Sequence, residues 1–319
     1  MLDHFPGQCT AMRLAPYCSS THACRLPYIV TRNLVMTEST ARSFRCQIMP
    51  RYTDLDTWRH VNNTRAYHIH QEARMQAHMD RFGPEAWFAD GLCLRPQRCL
   101  TDYRQISWYG QPLEAEVTLL GCDRQQFHMR SHLYQNGELV GTQDAFIGAY
   151  DQGRWVELPP DIYQQLQADC ASPVDVDNLP ENNYQQLASQ AHNFSVRQQL
   201  TPRYGDLDAD SLRSEAGLAR YMEQARFGGI RQLDMQGLGI LIARADISYC
   251  HFRPGWHAVE LASGISRIGN SSFVFTGCAL DKDEVQAAAN SVMVVINPQT
   301  NRPAPIPAAL REQLEAWLI

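Results

Sequence analysis

A chain that writes one short phrase twice has most of its architecture decided before any helix or strand is assigned. Residues 51–56 read RYTDLD and residues 203–208 read RYGDLD, so Arg, Tyr, Asp, Leu and Asp recur 152 residues apart. At the same offset Ala73-Arg74 falls on Ala225-Arg226. The ends of the copies agree as well, since ELPPDIYQQL at 157–166 is echoed by APIPAALREQL at 304–314. Self-similarity of this kind predicts a tandem duplication, two units of ordinary domain size within 319 residues.

The pattern inside each copy is the same. An alternating stretch, RSFRCQIMPRY or NFSVRQQLTPRY, predicts a strand running into an Asp-rich loop. A helix follows, over 61–82 in the first copy and 212–233 in the second, where Leu218, Tyr221, Met222, Ala225 and Ile230 recur at the spacing of one buried stripe. Three strands come next in each: LEAEVTLLGC, QFHMRSHLYQ and LVGTQDAFIGAY, then HAVELASGIS, SSFVFTGCAL and VQAAANSVMVVI, with hairpin turns at QNGE and DKDE. One long helix followed by an antiparallel meander predicts an α+β fold, each copy an antiparallel sheet wrapped around its helix. The domains fall at 42–150 and 192–319, joined by a polar linker, 151–191, with one short helix at DIYQQLQ. Residues 1–41 stand outside this scheme as an N-terminal extension. Arg13, Arg25 and Arg32 against Asp3 admit a transit peptide, but the plainer expectation is a disordered tail with a natural start at Met36.

Composition narrows the function classes. A net charge of −6 provides no basic field for nucleic acid or an anionic membrane, and no apolar run is long enough to span a bilayer. The ten cysteines lack zinc or disulfide spacing and predict reduced thiols in a cytoplasmic protein.

The Asp-rich loop supports two readings. An Asp before a helix caps free amides and favours the positive end of the helix dipole, yet two per loop exceed what one cap needs. A carboxylate there, beside unpaired helix-start amides that polarise a carbonyl, makes an acyl-transfer site without Ser, Cys, metal or cofactor. Gly-x-Ser-x-Gly, His-Glu-x-x-His and phosphate-loop motifs are all missing from the sequence. His68 and Glu72 share a helix face but find no third metal ligand in the sequence, so a packed or solvated histidine is expected.

The stretch RYTDLDTWRHVNNTRAYHIHQEAR resembles the signature of hotdog-fold acyl-CoA thioesterases of the 4-hydroxybenzoyl-CoA type, Arg-Tyr-x-Asp-x-Asp-x-x-Gly-His-Val-Asn-Asn followed by a helix ending Glu-Glu-Ala-Arg. The likeness extends over both halves and implies a tandem double hotdog that hydrolyses an acyl-CoA or acyl carrier protein thioester. It implies Asp56 and Asp208 as catalytic carboxylates, and the amides of Asn63 and Glu215 as carbonyl-polarising donors. His60 and Asn62 would shape the loop, with Glu223, Arg59 and Tyr67 beside the substrate. Departures weaken it: Arg59 stands for Gly and threatens a glycine-only backbone angle, Gln71 stands for the first Glu, and the second copy has Leu212, Arg213, Ser214 and Glu215 in place of His-Val-Asn-Asn. Asp56 is therefore the first candidate and Asp208 the second, in a cleft to which both copies contribute. The alternatives are a non-catalytic acyl-CoA-binding or scaffold protein, and a dehydratase whose His–acid pair finds no match here. Arg104, Arg124, Arg253 and Arg267 are candidates for the CoA phosphates, while Trp108, Tyr109 and Trp256 are expected in the core or between domains, and Gly110 and Gly255 in turns. Hotdog units pair through their sheets, which leaves room for a homo-oligomer of double-hotdog chains.

Overall fold

Side chains that alternate between solvent and core build antiparallel sheet, and this chain does so twice. The computed structural model describes residues 43–84, 92–170, 172–177, 179–254, 257–282 and 284–319; the extension at 1–41 lies outside these residues, as do Gly255 and Trp256. The first half contains β1 (Ser43–Ile48), α1 (Asn63–Phe82), β2 (Leu92–Tyr103), β3 (Leu113–Cys122), β4 (Gln126–Gln135) and β5 (Glu138–Asp151). Short β6 (Arg154–Val156), α2 (Pro160–Asp169) and α3 (Tyr184–Gln190) lead into the second half. That half contains β7 (Val196–Leu200), α4 (Glu215–Ile230), β8 (Gly239–Tyr249), β9 (Val259–Ile268), β10 (Ser272–Asp281), β11 (Glu284–Asn297), β12 (Arg302–Pro303) and α5 (Ala308–Glu315).

From edge to edge the sheet runs β1-β3-β4-β5-β2-β8-β11-β10-β9-β7, one five-strand order written forward and then backward. The halves meet where β2 pairs antiparallel with β8, from Arg98 opposite Ser248 to Asp102 opposite Arg244. Four long strands follow each long helix rather than the three expected, and the additional strand is the one at this seam. LCLRPQRCLTDY hides its nature because Pro96 sits at a bulge, where the register with β5 shifts between Pro96 and Arg98. β8 has the matching bulge, its register with β11 shifting between Arg244 and Ile242. The strand arginines pair with the other half: Arg98 donates to Asp246 at 2.8 and 2.6 Å, and Arg244 to Asp102 at 2.5 and 3.0 Å.

Both long helices pack on the sheet, and Ala73 and Phe127 share one apolar cluster with Leu218, Met222 and Tyr249. Burying such side chains contributes about 1.5–3 kcal/mol for each large one. Of the expected stripe, Leu218, Tyr221, Met222 and Ala225 are buried and Ile230 is partly buried, while α4 stops at Ile230, short of 233. The echoed end segments become α2 and α5, which bury Leu166 and Leu310 with Leu314 respectively. α3, not expected, covers Cys278 and Ala288 with Leu187. The QNGE turn places Asn136 and Gly137 at φ 55° and 81°, the left-handed pair a tight hairpin demands. No described helix is long and apolar enough to cross a membrane.

Candidate active site

The two aspartates of the first loop do different work. Asp54 is buried at the end of a 3-10 turn, where its carboxylate accepts from the Arg51 amide at 2.7 Å and from the Arg51 guanidinium at 3.1 and 3.3 Å. Its carbonyl receives the Asn62 amide at 2.9 Å, fixing the approach to the helix. This is the structural half of the pair. The chain then closes on itself through a Leu55–Val61 bridge and bonds between Asp56 and both His60 and Arg59. Arg59 sits at φ 67° inside that loop, so it adopts the left-handed angle that the sequence suggested it would abolish.

Asp56 faces the cavity instead. Its Oδ1 accepts from the Trp58 amide at 2.8 Å and its Oδ2 lies 3.1 Å from His60 Nδ1. His60 stands edge-on to Trp58 and Trp108, and its buried Nε2 has no partner among the described residues. Asn62 caps α1 by accepting from the Thr64 and Arg65 amides at 2.8 and 3.3 Å, and its side-chain amide donates to Glu223 of the second half at 2.9 Å. Asn63 is the first residue of the helix, where a backbone N–H has no acceptor within the helix itself. Asp56, His60, Asn62, Asn63 and Glu223 all line one cavity of about 760 Å³, whose apolar wall includes Ile230, Leu241, Ile242 and Met293 of the second half. Both halves therefore build the cleft.

The second loop repeats the backbone without the space. Asp208 Oδ1 accepts from the Asp210 and Leu212 amides at 3.0 Å each, while its Oδ2 is taken by Arg95 at 2.6 Å. Three residues before Arg98 stands Arg95; the same step back from Arg244, across the matching bulge, reaches Leu241. An arginine thus fills one site where a leucine lines the other. Glu215, at the position of Asn63, turns its carboxylate inward to Arg74 Nη2 at 2.6 and 2.5 Å and to the Tyr67 hydroxyl at 2.5 Å. Tyr67 in turn bonds Tyr249. Tyr67, expected beside the substrate, is 1% exposed in this network and off the wall of the open cavity. Arg59 is exposed and also off that wall, and Asp208 lies apart from it.

Electrostatics follow burial. Burial works against the charge of Arg74, but the Glu215 carboxylate more than offsets this and holds its proton above the usual value. Burial pushes the phenols of Tyr67 and Tyr249 well up and the Cys99 thiol to about 12. His70, on the cavity wall and 2.7 Å from Ser131 Oγ, is driven down to about 3 by burial and by Arg74. His68 is lowered to about 4 by burial and by Arg220, so it is a packed histidine. Among the described residues no cluster of three or more His, Cys, Asp or Glu is placed to hold a metal.

Two aromatic residues depart from expectation. Trp108 and Tyr109 are half exposed rather than packed, with Trp108 against His60. Of the candidate phosphate arginines only Arg104 lies on the cavity; Arg124 stacks over Tyr163, Arg253 pairs with Glu284, and Arg267 is exposed elsewhere. Gly110 takes φ 84°, as a turn glycine should. Arg226 and Tyr103, which also line the cavity, were not among the expected site residues. Arg226 had a signal in the Ala-Arg echo of Arg74; Tyr103 had none, because its strand was not recognised.

Residues 50–166 match the family model described as the Thioesterase-like superfamily. No curated protein matches the sequence. Among solved structures, one named as an oleoyl thioesterase from Lactobacillus plantarum is 14% identical with a TM-score of 0.65, covering 84% of this chain and 99% of that one. The 12:0-ACP thioesterase from Umbellularia californica is 14% identical with a TM-score of 0.63, over 79% and 94% of the two chains. An acyl-ACP thioesterase from Bacteroides thetaiotaomicron is 12% identical with a TM-score of 0.58, over 79% and 97%. At these identities the likeness shows a shared fold.

Proposed function

We propose that this chain is a tandem pair of hotdog units, 42–150 and 192–319, that hydrolyses an acyl thioester at a single working site in the cleft around Asp56. The observation that carries the reading is the Asp56 carboxylate and the helix-first Asn63 amide on the wall of one largely apolar cavity. The Asn63 N–H donates to the thioester carbonyl and to the oxyanion that forms from it. Asp56 either attacks the carbonyl carbon, expelling the thiolate and leaving an anhydride that water cleaves, or takes a proton from the water that attacks. Both routes break the C–S bond and yield a free thiol and a carboxylic acid. His60 and the Trp58 amide orient Asp56; Glu223 holds Asn62, and with it the helix start. The apolar wall takes the acyl group, and the thiol carrier is CoA or acyl carrier protein.

The test is thiol release from short, long and aromatic acyl-CoA and acyl carrier protein thioesters. Asp56→Asn should lower the rate by about 10²- to 10⁴-fold, the usual worth of a positioned acid–base group. Asp208→Asn should stay within a few-fold of wild type. Loss confined to Asp208→Asn would reverse the roles of the halves. Binding of acyl-CoA without thiol release would favour the non-catalytic reading.

A further inference from the structure

Arg74 and Arg226 occupy the same position in α1 and α4, and each reaches across to the first residue of the other helix. Arg74 meets the Glu215 carboxylate there. Arg226 meets only the neutral Asn63, at 3.3 Å to Oδ1, and Ser291 Oγ at 3.1 Å. It is 6% exposed and forms no ion pair among the described residues. The carboxylate one turn back on α4, Glu223, is committed to Asn62. Glu223 acts on the Arg226 charge without bonding it; a buried guanidinium with no directly bonded counter-ion is costly, and here it lies on the wall of the substrate cavity rather than in packed core.

Tyr103 lines the same cavity, within electrostatic reach of Arg226. It ends β2 as Tyr249 ends β8, and its hydroxyl makes no hydrogen bond among the described residues. Burial raises its phenol, the Arg226 charge pulls it back, and the Glu223 carboxylate opposes that pull. The sealed half shows what the position accommodates: Arg74 and Tyr67 bond the Glu215 carboxylate, and Tyr249, the counterpart of Tyr103, completes the network through the Tyr67 hydroxyl. The open half keeps the arginine and one tyrosine but not the carboxylate.

We propose that Arg226 and Tyr103 form a carboxylate-binding subsite in the open cavity, filled by a carboxylate of the acyl group. The inference rests on the cavity being the substrate site. The carboxylate has two sources: the acid released at the reacting carbon, or a second carboxylate at the far end of a dicarboxylic acyl group.

Calorimetric titration with octanoate and octanamide tests the first source. Titration of the Asp56→Asn protein with octanoyl-CoA and octanedioyl-CoA tests the second without turnover. Octanoate should bind at least tenfold tighter than octanamide if the released acid is the ligand. Octanedioyl-CoA should bind at least tenfold tighter than octanoyl-CoA if the distal carboxylate is. Arg226→Gln should erase whichever preference is found, about 10- to 100-fold for a lost charge-assisted bond, and Tyr103→Phe should reduce it. Asn63→Glu guards against a variant that merely fails to fold. It supplies the counter-ion that Glu215 supplies in the other half, so it should raise the melting temperature while abolishing the preference. Equal affinity within both ligand pairs in wild type and Asp56→Asn, or a preference that survives Asn63→Glu, overturns the proposal. Absence of thiol release with any thioester would instead count against the hydrolase, since these titrations need no turnover.

Discussion

Around Asp56 and around Asp208 the chain follows one path. Both loops begin with a 3-10 turn capped by the first Asp, both close through a bridge two residues short of the helix, and both place a non-glycine residue in the left-handed region, Arg59 at φ 67° and Ser211 at φ 60°. The interiors are opposite. Asn63 and Leu241 leave a cavity in one; Glu215 and Arg95 fill the other with ion pairs. A repeated backbone path therefore specifies where a cleft can be, and a few side chains decide whether it is space or core. The loop carboxylate survives in both because the second Asp accepts backbone amides in either setting, Trp58 in one and Asp210 with Leu212 in the other. Its retention is no sign of catalysis by itself.

The widest separation expected between the halves is the rate difference between Asp56→Asn and Asp208→Asn given above. Next is stability. Glu215→Gln strips Arg74 of its counter-ion inside the sealed half, and breaking one partner of a buried pair costs about 3–5 kcal/mol. Asn63→Ala at the matching position removes two long contacts, from the Arg226 guanidinium at 3.3 Å and from the Thr64 hydroxyl at 3.2 Å, and should cost about 1–2 kcal/mol. Urea denaturation of the two variants reads both numbers. Equal losses would mean that the sealed half owes little to its ion pair, and the contrast drawn here would fail.

How much of this was legible in the sequence depends on the range of the interaction. Both long helices, the six alternating strands and the hairpin at Asn136-Gly137 follow from local pattern and the repeated phrase. β2 and β8 did not, because Pro96, Arg95, Arg98 and Arg244 look wrong for buried strands until a bulge and a partner half are supplied. For the same reason the site was half readable. Asp56, His60, Asn62 and Asn63 sit on one motif, and Glu223 on its echo. Tyr67, expected beside the substrate, is held instead by Glu215 and Tyr249, 148 and 182 positions away and beyond the reach of local pattern.

Acid should separate the two long helices. α1 carries His68, His70 and His78 facing inward, whereas α4 carries no histidine. Burial, followed by nearby arginines, lowers His70 and His78 to about 3, with Asp144 opposing this at His70. Both are therefore neutral in the fold, and in the unfolded chain they protonate near 6.5. Their contribution is fully present above about pH 6.5 and is lost as pH falls toward 3, at up to about 1.4 kcal/mol per pH unit for each imidazole. Replacing His70 by the residue at its counterpart, His70→Met after Met222, should make the decline between pH 6 and 4 shallower by about that slope. The slope, read from denaturation midpoints across pH, is the measurement; absolute stability also registers the lost bond to Ser131.

The smallest expected effect tests whether the loops are equivalent as backbones. A non-glycine residue in the left-handed region costs roughly 1–2 kcal/mol, while glycine gives back roughly 0.5–1 kcal/mol through the freedom it adds to the unfolded chain. Arg59→Gly should therefore stabilise by about 0.5–1 kcal/mol, and Ser211→Gly by the same amount, because neither angle changes. Matching gains in denaturation midpoint would show that the loop geometry is imposed by its bridge and caps whatever side chain it carries. A gain at Ser211 alone would mean that the Arg59 side chain contributes something glycine cannot. It stands next to His60 in sequence, so thiol release by Arg59→Gly would then show whether that contribution belongs to the loop or to the site.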